Sequence, residues 1–402
     1  MVDITKDNYI VPREAHGRIF LRFLKFGLLA WGGPVAQIAM IRQELVEEEK
    51  WISPERFNRV LAVYQVLPGP EAHELCVYFG MLSGGRLGAL LAGLGFMLPG
   101  FVLMLLLSWF YVAVGISSPI FKAVFLGMQP AVAALIVRAV HRIGGHALHD
   151  NRWLWAIAFG AGAAQLLKVN FLVILLAAGL VFALVGVNRS KMAIAVSALF
   201  VIWLAVTTLG IVSLPALQDQ TLAQASTGAP SVIRLLIGGL RAGLLTFGGA
   251  YTAIPFLQHD AVQIGGWMSN AQFLDGLALS GLLPAPLIIF STFVGYIGAG
   301  VWGAVAMTVG VFAPAFAFTM IGHDYLEHLI ELRSVHAFLD GVTAGVVGLI
   351  GATALGILNE TLLGMHAWVI FAVALIFLFR SKASWTIAAI VLCAGLYGLL
   401  FL

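Results

Sequence analysis

The sequence predicts an all-α polytopic membrane protein made of two inverted-topology repeats with broken helices, about thirteen membrane segments in all. Three observations predict it: an overwhelmingly apolar composition, an internal repeat, and one extra apolar segment between the copies. Of 402 residues, 61% are hydrophobic and 10% charged, against about 25% charged in a soluble domain. Apolar runs of roughly 20 residues recur from end to end, long enough to span a bilayer. A net charge of +3 does not point to nucleic acid. The N-terminal stretch is polar and carries Lys6, Arg13, Arg18, Arg22 and Lys25 ahead of any apolar core, so no cleavable signal peptide is expected. Cys76 and Cys393 lie in apolar segments without CxxC or Cys/His spacing, which sets aside disulfide and zinc readings.

The repeat emerges on subtracting 216 from second-half positions. Gly248 and Gly249 then fall on Gly32 and Gly33, Trp267 on Trp51, Ser269 on Ser53, Phe273 on Phe57, and Pro284 and Pro286 on Pro68 and Pro70. With single slips to 215 and 214, Gly295 falls on Gly80, Pro314 on Pro99 and Gly341 on Gly127. The chain therefore divides into a first repeat (1–190), a linking membrane segment and polar loop (191–230), and a second, inverted repeat (231–402). Apolar segments of the first repeat lie near 18–41, 57–81, 87–114, 118–140, 152–167 and 170–187. Those of the second lie near 234–258, 272–296, 300–322, 335–357, 365–379 and 384–402, with 192–213 between the repeats.

Six segments return the chain to its starting side and a seventh leaves it on the other, so the repeats are expected to be inverted. With the N-terminus in the cytoplasm of an inner membrane, Arg86, Arg138, Arg142, Arg152, Arg189, Lys191, Arg333, Arg380 and Lys382 all fall inside. The misfit is 42–59, which falls outside with Arg42, Lys50, Arg56 and Arg59; a re-entrant first segment would change this parity. Inverted repeats with interrupted helices are the architecture of secondary transporters.

The interruptions have a local cause. Helices start at Ser53, followed by Pro54, and at Ser269, followed by Gln272 at capping-box spacing. The first runs about 14 residues, or about 21 Å, before Pro68, too short for a core of about 30 Å. "VLPGPEA" (66–72) should therefore stop one helix at membrane depth and start another, whose first N–H groups need a polar partner. An oxyanion suits them. "LLPAPLI" (282–288) repeats the device. The paired glycines of "AWGGP" (30–34) and "TFGGA" (246–250) allow unwinding or close backbone approach; ordinary small-residue helix packing explains them as well.

These stretches resemble the chromate ion transporter family in its long, two-domain form. The resemblance is carried by "FLRFLKFGLLAWGGP" (20–34), "EEEKWISPERF" (47–57), "VYQVLPGPEA" (63–72) and "GLGFMLPG" (93–100). "GLLTFGGAYTAIPFL" (243–257) and "LALSGLLPAP" (277–286) echo it. The family has AFGGP more often than AWGGP, and follows Pro-Gly-Pro with small or hydroxyl residues where this chain has Glu71, Ala72, His73 and Glu74. The resemblance implies export of chromate, a tetrahedral dianion like sulfate, driven by an ion gradient.

The substrate site is expected at the backbone around Gly32, Gly33, Pro68, Gly69 and Pro70, with Gly248, Gly249, Pro284, Ala285 and Pro286. Gln37, Gln65, Thr246, Thr252 and Ser280 are candidate donors, although an isolated Ser or Thr in a membrane helix commonly bonds its own backbone. Arg241 is the candidate cation, since Arg22 and Lys25 are placed to snorkel to the interface. Glu71, His73 and Glu74 are candidate coupling residues, with protons as the coupling ion; the bland alternative for Glu71 is helix-dipole stabilisation. Asp260 and Asp275 read as solvated near a loop, and His141, His146 and His149 as a solvated cytoplasmic cluster, not a metal site. No cofactor is expected, and a homodimer is an open option. A passive anion channel would share the architecture. A lipid-modifying enzyme would need a DDxxD, HExxH or GxSxG signature, which the chain lacks.

Overall fold

A computed structural model describes residues 9–115, 118–148, 151–208, 229–247, 250–330, 333–381, 383 and 385–402. Those residues are helical and turn structure without a strand. The first repeat holds α1 (His16–Leu28), α2 (Pro34–Arg42), α3 (Pro54–Val66), α4 (Glu71–Phe110), α5 (Pro119–Ala147), α6 (Arg152–Leu166) and α7 (Phe171–Gly186). Then comes α8 (Ser190–Thr208). The second repeat holds α9 (Val232–Leu244), α10 (Ile254–Gln258), α11 (Asn270–Gly281), α12 (Phe290–Ile330), α13 (Arg333–Thr361), α14 (Met365–Arg380) and α15 (Thr386–Phe401). Among the described residues four stretches are long and apolar enough to cross a membrane: Glu71–Gly115, Pro119–Ala147, Leu287–Gly322 and Ser334–Thr361.

The two sets of helices match in detail. A π-helical turn follows α2 at Gln43–Glu48 and another follows α10 at His259–Ile264. Both α5 and α13 have 29 residues. Inside α4, Gly84 and Gly85 leave the helix at φ/ψ of −137/19 and 62/−155; inside α12, Ala299 and Gly300 do so at −150/35 and 60/−149. The expected caps form. The Ser53 hydroxyl accepts from the Arg56 N–H, and Ser269 and Gln272 complete a capping box. Pro68 ends α3 at Val66 as expected.

One expectation needs correction. The stretches 18–41 and 57–81 do not run straight; each folds back on itself. Arg22 of α1 bonds Glu49, 2.6 Å away, and Lys25 lies 3.3 Å from Glu44, so the chain returns along α2 to the level where it began. The turn between is Leu29–Gly33, where Gly32 and Gly33 hold φ of 91° and 78°, a region glycine enters without penalty. In the same way Arg56, at the start of α3, donates to the Tyr78 hydroxyl at 3.1 Å, and the Phe57 and Phe79 rings stack at 6.4 Å. Residues 71–83 therefore run back antiparallel to α3, and α4 reverses again at Gly85. A β-carbon on Gly80 would lie 2.5 Å from the Gly88 carbonyl oxygen, and one on Gly88 2.4 Å from that of Gly80. Only after this second reversal does 86–110 run the length of the molecule.

The second repeat copies the scheme. Arg241 of α9 pairs with Asp260 at the position matching Lys25 and Glu44. The Phe273 and Phe290 rings, across the 282–289 turn, are 4.8 Å apart. Gly295 and Gly303 repeat the backbone contact of Gly80 and Gly88. The polar stretch 42–59 thus lies on the same face as His16 and Ser83, whose hydroxyl accepts from the Glu14 N–H and donates to the Pro12 carbonyl. That face is called the N-terminal face below.

These glycine contacts leave no room for a side chain. Gly80→Leu is expected to abolish monodisperse folded protein in size-exclusion chromatography, since overpacking against backbone cannot relax by rotamer change. Gly160→Leu, where a β-carbon meets nothing within 4 Å, should behave as wild type.

Candidate functional site

Each repeat contributes two hairpin tips, and the tips meet across the repeats. The amide of Gly69, in the Pro-Gly-Pro tip, donates at 2.8 Å to the carbonyl of Thr246, which leads into the second glycine pair. Reciprocally, Gly32 and Gly33 share a small pocket of about 20 Å³ with Leu283 and Ala285 of the Pro-Ala-Pro tip. The tip of one repeat's first hairpin thus contacts the tip of the other's second. Beyond the Pro68-Gly69-Pro70 break, α4 starts with the His73 and Glu74 amides bonded to the Pro70 carbonyl, at 2.8 and 3.1 Å. The amides of Glu71 and Ala72 have no intrahelical acceptor.

Beside this junction lies a polar cavity of about 360 Å³. Pro34, Val35 and Ile38 line it from the first glycine tip, Gln65 and Glu71 from the flanks of the proline break, and Tyr251 from the second glycine segment. Ala139, Arg142, Ile143 and His146 line it from α5, and His336, Asp340 and Thr343 from α13. Arg142 and His146 are the basic groups nearest Glu71, and His336 and Asp340 share the cavity with it. The cavity opens toward the N-terminal face, where His146 and His336 are exposed.

The expected site residues fall into groups. Gln65 and Glu71 reach the cavity, and Gly32 and Gly33 sit one residue layer behind Pro34. Pro68, Gly69 and Pro70 are buried next to Thr246 and do not themselves line the cavity. The Thr246 hydroxyl donates to the Ala242 carbonyl of its own helix at 2.6 Å and is not aimed at a ligand. Pro284 and Pro286 flank Ala285, which opens on the small pocket, so the two breaks do not line one chamber; Tyr251 stands between, lining both spaces. Gly248 and Gly249 lie outside the described residues. His73 and Glu74 are fully buried behind the first tip. The His73 ring lies 4.9 and 4.8 Å from Phe312 and Phe316 of α12, facing the Gly93 backbone outside hydrogen-bond geometry, and neither Glu74 oxygen has a partner.

Three readings are corrected. Arg241 does not reach the cavity; it is bound to Asp260 and lies over the Phe171 ring at 5.2 Å. Asp260 is buried in that pair, not solvated. Asp275 is buried too, accepting from the Tyr111 hydroxyl at 2.8 Å and from Gln129 at 2.9 Å. The polar cluster near 141–149 also divides. His141 packs on Phe379 outside the cavity, His149 lies outside the described residues, and Arg142 and His146 face the site. Ending the apolar run at 140 hid this, because α5 continues to Ala147 and carries Ala139, Arg142, Ile143 and His146 along one stripe at spacings of three and four. Among the described residues no group of three or more His, Cys, Asp or Glu is placed to hold a metal ion.

A polytopic helical protein whose broken helices converge on a cavity lined by Arg142, Gln65, Glu71 and Asp340 has the parts of a membrane carrier, and the comparisons give that class a family. The chromate transporter family matches residues 17–184 and again 233–399. The chain is 55% identical over 397 residues to a chromate transport protein of Pseudomonas aeruginosa, covering 97% of this chain and 93% of that one. It is 28% identical to a probable chromate transport protein of Synechococcus elongatus (98% and 97% covered) and 28% identical to a chromate transport protein of Cupriavidus metallidurans (93% and 90% covered). No solved structure matches it. The chain belongs to the chromate transporter family: it is a multi-pass membrane transporter and not an enzyme.

Proposed function

We propose that this protein is a secondary active transporter that exports chromate, or a related tetrahedral oxyanion such as sulfate, from the cytoplasm, coupled to a proton gradient. The observation that carries the reading is the cavity that Arg142 shares with Gln65 and Glu71, the residues on either side of the proline break. A dianion there would meet a guanidinium, the Gln65 amide and the first amides of a half-helix together.

The topology we infer has four re-entrant hairpins and nine crossing helices: 86–110, α5, α6, α7, α8, 301–330, α13, α14 and α15. Re-entry removes two crossings from each repeat, so the parity argument for inversion stands, and the 42–59 misfit disappears because Arg42, Lys50, Arg56 and Arg59 join the other basic residues on the N-terminal face. By the excess of Lys and Arg that face is cytoplasmic, in a bacterial-type inner membrane. The cavity then opens inward. Inverted repeats with broken helices around one such cavity favour alternating access over a passive channel.

The test is anion uptake into inverted vesicles against a chromate gradient, with sulfate and molybdate as competitors and the proton gradient imposed or collapsed. Concentrative uptake that disappears with the gradient supports the reading; downhill flux only would make the protein a channel. Arg241→Ala gives a control. It should leave the half-saturating anion concentration within about twofold, yet lower stability by about 2–3 kcal/mol, because buried Asp260 would lose its guanidinium and keep only His259 beside it. Thermal unfolding measures the second effect.

A further inference from the structure

We propose that the end opposite the cavity contains a second, closed anion vestibule, and that Asp275, Tyr111 and Gln129 form the latch that holds it shut. The proposal rests on the transport reading above. Each residue lining the open cavity has a counterpart in the other repeat. Ala139, Arg142, Ile143 and His146 of α5 correspond to Thr353, Gly356, Ile357 and Glu360 of α13. His336, Asp340 and Thr343 of α13 correspond to Lys122, Leu126 and Gln129 of α5, and Gln65 and Glu71 to Gly281 and Leu287.

On the open side these positions enclose about 360 Å³. On the other side Ile357 is 1% exposed, against 8% for Ile143, and a β-carbon on Gly281 would lie 3.4 Å from Ile387 and 3.7 Å from Val391 of α15, while Lys122, Leu126, Gly356 and Glu360 are exposed. Alternating access between inverted repeats exchanges the two arrangements, so this set is the surface the anion would meet on leaving, with Lys122 as its cation.

The far end is held by a polar clamp. Both oxygens of Asp275, on α11 of the second repeat, are held by the first: one by the Tyr111 hydroxyl, just past α4, the other by the Gln129 amide of α5. Tyr111 is itself fixed between the Phe125 and Phe293 rings, at 5.2 and 5.1 Å. Of the matching positions on the open side, Arg59, the counterpart of Asp275, is exposed, and Thr343, the counterpart of Gln129, lines the open cavity. Opening the far side must separate α11 from α5 and break both bonds.

Site-directed labelling tests this on purified protein carrying Cys393→Ser, since Cys76 is buried and Cys393 is the exposed thiol. Ile143→Cys reports the open cavity and Ile357→Cys the closed vestibule, read as maleimide reaction rates. Tyr111→Phe, which keeps the ring packing, and Asp275→Asn should each raise the Ile357→Cys rate and lower the Ile143→Cys rate, both by about five- to tenfold, the shift expected from one buried hydrogen bond. Unchanged rates would overturn the latch. So would rates rising at both sites, which would mean that the trio holds the fold and not a gate. No substrate is needed for labelling, so the two readings fail separately. Reciprocal rates without chromate flux would sink the transport reading and leave the latch. Flux without reciprocity would sink only the latch.

Discussion

Arg142→Ala is expected to raise the half-saturating chromate concentration of uptake about 10- to 100-fold while leaving the yield of folded protein unchanged. The other basic side chains placed near acids are bound to them: Arg22 to Glu14 and Glu49, Lys25 to Glu44, Arg42 to Glu47 and Arg241 to Asp260. Arg142 has no carboxylate within ion-pair distance among the described residues, and its side chain lines the cavity. A half-buried guanidinium without an anion is available for one. A hydrogen bond to a charged group contributes about 1.5–3 kcal/mol, and each 1.4 kcal/mol is tenfold in affinity. Arg142→Lys should fall between wild type and alanine, because the ammonium keeps the charge but loses the planar fork that grips two oxygens of a tetrahedral ion. Tracer uptake in inverted vesicles measures all three. An unchanged half-saturating concentration in the alanine variant would place the binding site elsewhere.

That Arg142 lines the cavity, while Arg241 is paired with Asp260, was not legible in the sequence. What could be read were features written into local chemistry. Serine caps, Pro-Gly-Pro and Pro-Ala-Pro stops and paired glycines fix the backbone whatever surrounds them, and the matched spacing of Trp51 with Trp267 and Pro99 with Pro314 exposed the repeat. The fold-back of 18–41 and 57–81 was hidden because apolar length alone cannot tell a straight span from two half-length arms joined at a glycine or proline tip. The only warning was the parity misfit of Arg42, Lys50, Arg56 and Arg59. Partners were hidden for a related reason. Arg241 and Asp260 are nineteen residues apart and meet only because α9 and α10 form a hairpin, while Asp275 finds Tyr111 and Gln129 across the repeat boundary. Charge at a position is visible in the sequence; whether another residue has already neutralised it is not.

Glu71→Gln is expected to flatten the pH dependence of anion binding and to uncouple transport. Glu71 is the first residue after the break, buried, and shares the cavity with Arg142 and His146. An ionised Glu71 repels an incoming dianion and competes for Arg142; a protonated one does neither. Proton binding and anion binding at this point therefore favour one another. If one proton accompanies each anion, the half-saturating chromate concentration of the wild type should fall by up to about tenfold for each unit of decreasing pH through the titration of the group. Glutamine is uncharged at every pH, so the variant should bind as the protonated wild type does. Its half-saturating concentration would be low and flat, and at high pH tighter than wild type. Because the proton would no longer be carried, the variant should equilibrate chromate without concentrating it. Glu74→Gln separates the two acids. Glu74 is sealed behind the tip with His73 and touches no cavity surface, so it should keep the wild-type slope. Should Glu74→Gln remove the slope and Glu71→Gln retain it, the proton site would be the buried carboxyl beneath Gly69, and binding would couple to protonation through movement of the tip instead of through direct repulsion in the cavity.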